Sequence, residues 1–272
     1  MTRLRELTIV IKGAGEMASA VAWRLYMANM QKILMLETDN PLAVRREVSF
    51  CEAAHDGQKT VENVEAVKVR GLADIHQAWE LGKIPVAADP QWHLLEKIHP
   101  DLVVDAILAK RNLGTRMHEA GLVIGLGPGF SAGNDVHLVV ETNRGHNLGR
   151  VITAGPAEPN TGIPGTIGGF AEERVLRAPT EGKFTARRSI GDHVKADEIV
   201  GFVQEAEVRA KIGGVIRGLI RLDTSVTKGL KIGDIDPRGQ EHNCYTISDK
   251  ALAIGGAVLE AVMRVYNKAN IE

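Results

Sequence analysis

The sequence contains few cysteines and few aromatic residues. Its two cysteines, Cys51 and Cys244, cannot make a disulfide framework. Aromatic residues make up 4% of the chain, which leaves few platforms on which exposed bases could stack. Charges nearly cancel, with 33 Lys and Arg against 34 Asp and Glu, so no global field attracts a polyanion. We therefore expect no nucleic-acid partner.

Long apolar runs are also absent from the sequence. No stretch approaches the length of a bilayer crossing, and the short apolar run near the N-terminus is typical of a strand rather than a secretion signal. Hydrophobic residues still make up 44% of the chain, which is enough to fill a sizeable core. We expect a soluble, cytoplasmic protein with no membrane contact.

The N-terminal half alternates between strand and helix patterns. The run 7–11 ends at Gly13-Ala-Gly15, a helical repeat of small and apolar residues follows, and a second buried run, 33–36, ends in Glu37. Further runs predict a helix at 73–81 and strands at 67–69, 85–88, 102–107, 122–126, 136–141 and 150–153. This order predicts an α/β fold, a Rossmann-like doubly wound sheet with an antiparallel edge.

The C-terminal half has a different organisation. A loop rich in glycine and proline, 154–170, precedes two similar segments, 182–203 and 214–235, which are offset by 32 residues. Because neither segment could bury a core alone, they predict a small all-β barrel-sandwich, followed by a helix over 248–266 in which the Gly255-Gly256 pair marks close packing. We predict a nucleotide- or cofactor-binding domain at 1–172, the barrel at 173–240 and a C-terminal helix within 241–272.

The best local motif is Gly13-x-Gly15-x-x-Ala18. The first glycine permits a tight turn, the second lets the backbone approach a pyrophosphate, and the small third residue lets helix and strand pack closely. Glu37 is placed to bind ribose hydroxyls, which favours NAD over NADP. The alternative is a glycine turn in a fold that binds no dinucleotide.

A second glycine-rich segment, Gly125-Leu-Gly127-Pro-Gly129, follows the predicted strand at 122–126. It is either a second anion-binding loop at the same end of the sheet or a plain turn into the edge strands. Composition alone does not separate these alternatives, so Gly125, Gly127 and Gly129 are candidate cofactor-binding residues.

The catalytic candidates are Cys51, Cys244 and Asp105. Asp105, like Asp89, lies near the carboxyl end of a predicted strand, where acids either line a ligand crevice or cap helices. Cys51 follows Arg45 and Arg46, which would lower its thiol pKa if they are near in space; otherwise it is a buried small hydrophobe. Cys244 has only His242 nearby, which is too little for zinc, and we predict no metal site.

Two longer segments carry a family resemblance. The run IGLGPGFSAGNDVHLVVETNRGHNLGRVI (124–152) and the run TDNPLAVRREVSF (38–50) resemble the XdhC/CoxI-type accessory proteins of molybdenum hydroxylases. With the C-terminal HNCYTISDKALAIGGAVLEAV, nearly the whole chain resembles the YqeB-type proteins of selenium-dependent molybdenum hydroxylase systems.

The resemblance implies a maturation factor that binds the molybdenum cofactor, assists its modification with sulfur or labile selenium, and transfers it to a hydroxylase apoenzyme. It assigns cofactor binding to Gly13, Gly15 and Ala18 and to the loop of Gly127, Pro128 and Gly129, and it supplies no catalytic set. A symmetric homodimer is the usual expectation for such a protein.

The repeat region separately resembles the biotinyl/lipoyl barrel, through the segment 207–214. A carrier domain of that type needs a lysine at the tip of the hairpin that joins its halves. Here the connection 204–207 has none, Lys195 is in another turn, and Lys211 lies within the run to the second half. The resemblance therefore implies a scaffold or docking surface without a swinging arm.

Three functional hypotheses follow, and turnover is left open. The first is an accessory factor that binds molybdenum cofactor or a nucleotide. The second is an NAD(P)-dependent oxidoreductase that acts on a small molecule, although no acid or base for hydride transfer stands out. The third is a sulfur or selenium carrier that uses Cys51 or Cys244.

Overall fold

The computed structural model describes residues 4–267, which form two compact units. The first unit comprises the described residues up to Pro41, Ser49–Asn160 and the residues from Ile247 onward; the second comprises Leu42–Val48 and Thr161–Thr246. The division into domains at 172 and 240 stays a sequence prediction.

Within residues 4–267, the first unit contains five α-helices and eleven strands. The helices are α1 (Glu16–Met27), α2 (Ala53–Asp56), α3 (Leu72–Glu80), α4 (Leu95–Ile98) and α5 (Asp249–Tyr266). The strands are β1 (Ile9–Lys12), β2 (Ile33–Glu37), β3 (Gln58–Val61), β4 (Val64–Val69), β5 (Ile84–Ala88), β6 (Leu102–Asp105), β7 (Leu122–Leu126), β8 (Ser131–Ala132), β9 (Leu138–Val140), β10 (Val151–Ile152) and β11 (Gly155–Pro156). None of the helices within residues 4–267 is long and apolar enough to cross a membrane.

Nine of these strands form one mixed sheet in the order β10-β9-β7-β6-β1-β2-β5-β4-β3. The two edge pairs, β10 with β9 and β3 with β4, are antiparallel, and all other pairs are parallel. The chain places β2 to β5 on one side of β1 before it starts β6 on the other side, so the strand order reverses between β1 and β6. In parallel sheets, the carboxyl ends of the strands at such a reversal are the usual place for a ligand.

Along the parallel strands, successive side chains point to opposite faces of the sheet, so apolar side chains cover both faces. On one face, Val10, Leu34 and Val103 pack with Ile75 and Ala78 of α3. Helices α1 and α5 pack against each other, and α5 also contacts β7, β9 and β10. A Cβ atom on Gly255 would lie 2.9 Å from the carbonyl oxygen of Ala20, which confirms the close helix packing that the glycine pair predicted.

The second unit contains eight strands in two antiparallel four-stranded sheets. The strands are β12 (Val175–Arg177), β13 (Gly182–Ala186), β14 (His193–Val194), β15 (Ile199–Val203), β16 (Ala206–Arg209), β17 (Gly214–Leu219), β18 (Ser225–Val226) and β19 (Lys231–Asp236). The sheet orders are β12-β19-β17-β14 and β16-β15-β13-β18. The mixed α/β architecture predicted from sequence is confirmed, with one large mixed sheet and these antiparallel sheets.

The internal repeat has a direct structural counterpart. Strands β17, β18 and β19 begin 32 residues after β13, β14 and β15, respectively. The halves exchange strands: β14 lies in the sheet of β17 and β19, while β18 lies in the sheet of β13 and β15. A single core then contains Phe184 and Val203 from one half and Ile216 and Ile235 from the other. Neither half encloses that core alone.

Several predicted elements differ in extent from the observed ones. The predicted strand 102–107 ends at Asp105, so its last two residues begin a loop, and the predicted strand 136–141 is limited to Leu138–Val140. Strand β3 was missed because only Val61 of its four residues is buried, which leaves no apolar pattern to find.

Candidate functional site

The turn after β1 is shaped by Gly13. Its φ of +90° is unfavourable for other residues, and a Cβ atom there would lie 3.3 Å from the carbonyl oxygen of Ala106. Its amide donates to the carbonyl oxygen of Leu36 at 2.7 Å, which ties the turn to β2. The predicted tight turn thus sits where the strand order reverses.

Gly15 leaves open space at the start of α1. Its backbone is extended, with φ −70° and ψ −174°, and a Cβ atom on it would meet nothing within 4 Å. The first amides of a helix lack partners within the helix, and they attract anions. Ala18, one turn later, is fully buried, as the motif predicts for a small residue between helix and strand. These features fit a phosphate-bearing ligand at Gly15.

Glu37 holds the glycine turn from the end of β2. One carboxylate oxygen accepts from the Ala14 amide at 2.8 Å, and the other accepts from the Thr38 amide at 2.9 Å. Since an ionised carboxylate has about four acceptor positions, two remain for further donors such as ribose hydroxyls. Glu37 therefore positions the turn, and its role toward a ribose stays a prediction.

Lys12 is a fully buried lysine at the end of β1. Its Nζ donates to Thr115 Oγ1 and to Glu119 Oε2, both at 2.7 Å, and lies 3.6 Å from the centre of the Trp92 ring. Burial lowers the pKa of Lys12, which the Glu119 hydrogen bond and the charges of Glu119 and Asp105 oppose. Sequence reasoning missed this cluster, although a lysine that ends an apolar strand was a signal.

Asp105 pairs in register with Lys12 at the carboxyl end of β6. Thr115 Oγ1 donates to Oδ2 at 2.6 Å, and the Ile107 amide donates to Oδ1 at 3.2 Å. Burial raises the pKa of the Asp105 carboxyl against these hydrogen bonds. Because the side chain is buried, this geometry favours a role in positioning the loop 106–116, and the catalytic assignment stays a prediction.

The glycines of the second glycine-rich segment are closely packed. A Cβ atom on Gly125 would lie 2.5 Å from the Phe130 ring, and one on Gly129 would lie 2.7 Å from the Arg111 backbone. The Gly127 amide already donates to the carbonyl oxygen of Val140 at 2.8 Å. This packing favours the plain turn over an anion loop, and cofactor binding by the three glycines stays a prediction.

Cys51 and Cys244 lie in different units, and both are buried. The Cys51 amide donates to the carbonyl oxygen of Ala14 at 2.8 Å, so its backbone adjoins the glycine turn. Cys244 Sγ lies 3.6 Å from the carbonyl oxygen of Ile216, and burial raises the pKa of its thiol against the Arg45 charge. The Cys244 thiol is therefore poorly suited to act as a thiolate.

The remaining sequence candidates have structural roles. Asp89 accepts from the amides of His93 at 3.1 Å and Leu94 at 2.7 Å, which fixes the turn that precedes α4. Arg45 donates to the carbonyl oxygens of Asn243 and Thr246, within its own unit. In the described part of the chain, no group of three or more His, Cys, Asp or Glu could hold a metal ion.

These features define an α/β protein with a candidate ligand site at the carboxyl ends of its central parallel strands. The chain is 48% identical over 260 residues to "Uncharacterized protein YqeB" of Escherichia coli K12, across 96% of this chain and 48% of that protein. It therefore spans about half the length of the curated relative it matches. The predicted similarity to YqeB is confirmed, and the link to XdhC/CoxI-type proteins stays a prediction.

No family model matches the chain. Among solved structures, TcdA (CsdL) is 10% identical with a TM-score of 0.33, covering 97% of this chain and 90% of that chain. An aspartoacylase family protein from Mesorhizobium loti is 12% identical with a TM-score of 0.26, covering 78% and 58%. At these scores the solved structures add nothing to the fold described above.

Proposed function

We propose that this chain binds a phosphate-bearing cofactor at the glycine turn and serves as an accessory factor in the maturation of a molybdenum hydroxylase, including selenium-dependent ones. The observation that carries the proposal is the open backbone of Gly15, which lies beside the reversal of strand order. The molybdenum cofactor and the dinucleotides share a phosphate group, and phosphate is what the start of a helix binds.

The proposal includes a Rossmann-like identity for the first unit. Support comes from the parallel strands on both sides of β1, the glycine turn after β1, and an acid at the end of β2. In this arrangement Gly13 shapes the turn and Gly15 leaves room for the ligand, while Glu37 fixes the amide of Ala14. The bound cofactor would supply metal and pterin chemistry, and these residues would bind and orient its phosphate end.

The proposal also gives the second unit the biotinyl/lipoyl type of barrel. Support comes from the 32-residue repeat and from the exchange of β14 and β18 between the sheets. The hairpin between β15 and β16 turns at Gln204 and Glu205, so it presents no lysine for a prosthetic arm. We therefore assign this unit the role of a scaffold or docking surface for the hydroxylase apoenzyme.

The cofactor proposal is tested by anaerobic purification from a host that makes molybdenum cofactor, with molybdenum and pterin content as the readout. We expect near-stoichiometric cofactor in the wild type and about a tenfold loss in Gly15→Val, whose side chain fills the ligand space. Gly71→Val is the matched control, because Gly71 also precedes a helix with extended backbone and nothing within 4 Å of a Cβ atom.

The cofactor content of the wild type decides whether the proposal stands. A protein that stays empty after cofactor is added anaerobically overturns the assignment. Loss of cofactor from both glycine variants would also overturn the role of Gly15, because the control position lies at a different helix.

An NAD(P)-dependent oxidoreductase is the second candidate, favoured by the free acceptor positions of Glu37. It predicts binding of NAD without pterin and reduction of a carbonyl compound. Glu37→Gln would then weaken NAD binding. The sulfur or selenium carrier hypothesis predicts loss of maturation when Cys51 and Cys244 are both replaced by alanine.

A further inference from the structure

The first turn of α5 is fixed beside the start of α1 and the loop after β9. Ser248 Oγ donates to Glu16 Oε1 at 2.9 Å, in the residue that follows Gly15. Arg144 donates to both carboxylate oxygens of Asp249, at 2.7 and 3.0 Å. Lys250 follows directly, so its backbone position is set by two separate polar contacts.

The loop after β6 carries Lys110 to the same end of the sheet. It is held between the two glycine turns, because Gly13 packs on Ala106 and Gly129 packs on Arg111. Within it, Leu108 has a φ of +59° and Lys110 a φ of +62°. Left-handed backbone at residues other than glycine is unfavourable and concentrates at functional sites, so the surrounding packing imposes this conformation.

The two ammonium groups lie within each other's electrostatic field. Burial lowers the pKa of Lys250, and the charges of Lys110 and Arg144 lower it further, against Glu16 and Glu141. Burial also lowers the pKa of Lys110, which Glu141 opposes. Placing like charges together is unfavourable unless an anion joins them.

The nearby carboxylates accept hydrogen bonds from other donors. Glu141 accepts from the Asn143 amide at 2.6 Å and from the Glu158 amide at 2.7 Å, one on each oxygen. Glu16 accepts from Ser248. Within residues 4–267, neither Lys110 Nζ nor Lys250 Nζ has a hydrogen bond or an ion pair. The cations are thus available to a ligand.

We infer that Lys110 and Lys250 bind a phosphoryl or diphosphoryl group. Ammonium groups bind phosphate as point charges, and two of them match the double charge of a terminal phosphate. The identity of the whole ligand rests on the proposed function. The binding of an anion at this place rests only on the two lysines. The candidate site then includes residues from the loop after β6 and from α5, in addition to the glycine turn.

The test uses inorganic pyrophosphate as the probe and thermal unfolding at low ionic strength as the readout. We expect pyrophosphate to raise the Tm of the wild type, and we expect Lys110→Gln and Lys250→Gln each to weaken its affinity about tenfold. Without the anion, both variants should be at least as stable as wild type, because a like charge is removed. Lys32→Gln, at an exposed lysine, is the control.

A pyrophosphate response in Lys110→Gln and Lys250→Gln equal to that of Lys32→Gln overturns the inference. Cofactor content separates the two proposals. If Gly15→Val loses the cofactor while both lysine variants keep it, the proposed function stands and the lysine site is wrong. If the wild type binds pyrophosphate through the lysines but no cofactor, the anion site stands and the proposed function fails.

Discussion

At Lys12, burial and charge act in opposite directions. Removal of an ammonium group from water costs several kcal/mol, and hydrogen bonds from Nζ to Thr115 and Glu119, together with the Trp92 ring, offset part of that cost. Asp105 and Glu119 in turn depend on Lys12 as a nearby cation. The residue therefore links the end of β1 to the loop after β6.

Lys12→Met should destabilise the protein strongly, because it leaves two carboxylates in a buried site without their cation. Loss of one partner from a buried ion pair costs about 3–5 kcal/mol in the free energy of unfolding. Urea unfolding measures this change. Lys32→Met, at an exposed position, should stay within about 0.5 kcal/mol of wild type. Equal stability of the two variants would contradict the structural role of Lys12.

The sequence predicted the backbone of the candidate site better than its side chains. Gly13, Gly15 and Glu37 follow one another within a single βαβ pattern, so local spacing predicts their meeting. Thr115 and Glu119 come from a distant segment, and no local pattern relates them to β1. Their contact with Lys12 depends on strand order, which sequence periodicity does not encode.

Helix α5 contains two adjacent glycines with different surroundings. A Cβ atom on Gly255 would lie 2.9 Å from the Ala20 carbonyl oxygen and 3.2 Å from Arg24 Cβ, while one on Gly256 would meet nothing within 4 Å. The first glycine permits the approach of α1 and α5. The second carries the cost of glycine in a helix without a packing reason.

Gly255→Ala and Gly256→Ala should therefore change stability in opposite directions. We expect the first to lower the free energy of unfolding by about 1–3 kcal/mol through overpacking. We expect the second to raise it by about 0.5–1 kcal/mol through helix propensity. Denaturant unfolding of the two variants measures both changes. A stabilised Gly255→Ala would show that α1 and α5 separate without cost.

Asp234 of β19 lies in a buried ionic cluster with Arg217 of β17 and with Arg174, the residue before β12. Asp234 receives hydrogen bonds from Arg174 and Arg217, the latter with its Nη2 at 2.5 Å. Burial raises the pKa of Asp234, but Lys231, Arg217 and Arg174 outweigh it, and the net pKa lies below the ordinary value of 3.8. Its contribution to stability is present above that value and is lost as the pH falls through the lowered pKa.

Asp234→Asn should remove this contribution at neutral pH. Arg174 would lose its carboxylate partner and Arg217 would keep only Asp236, at 3.6 Å, at a cost of about 3–5 kcal/mol. The difference from wild type should shrink as the pH falls below about 4, which unfolding curves across that range would measure. Asp223→Asn, an exposed residue of the same unit, should match wild type throughout. A difference that is constant with pH would contradict the assigned pKa direction.

The elements that sequence predicted well are those with strong apolar periodicity. Strand β7 and the C-terminal helix α5 match their predicted ranges closely, since each presents a clear buried pattern. Strand β3 is largely exposed and therefore lacks that pattern. The repeat predicted two similar halves. It did not predict which sheet contains β14 and β18, because that depends on the core that the two halves share and not on the sequence of either segment alone.

At the scale of the whole molecule, each compact unit draws on chain segments from both sides of the loop 157–169. In the first unit, Ile247 donates to Glu62 at 2.7 Å and Tyr266 donates to the Asp101 carbonyl at 2.6 Å. In the second, Arg46 donates to the Leu219 carbonyl at 2.8 Å. The chain is thus interleaved, so cleavage within the loop would not separate the units into two fragments.

A specific protease site inserted between Asn160 and Thr161, in an exposed stretch, tests this interleaving. After complete cleavage we expect the two fragments to co-elute in size-exclusion chromatography, because the N-terminal fragment keeps α1 against α5 of the other, and Val44 and Arg46 against β17. In denaturing guanidinium chloride the fragments should separate, which confirms that cleavage was complete. Separation under native conditions would mean that α5 and the segment Leu42–Val48 contribute too little binding energy to hold the two fragments together. It would also predict that Gly255→Ala has little effect on stability.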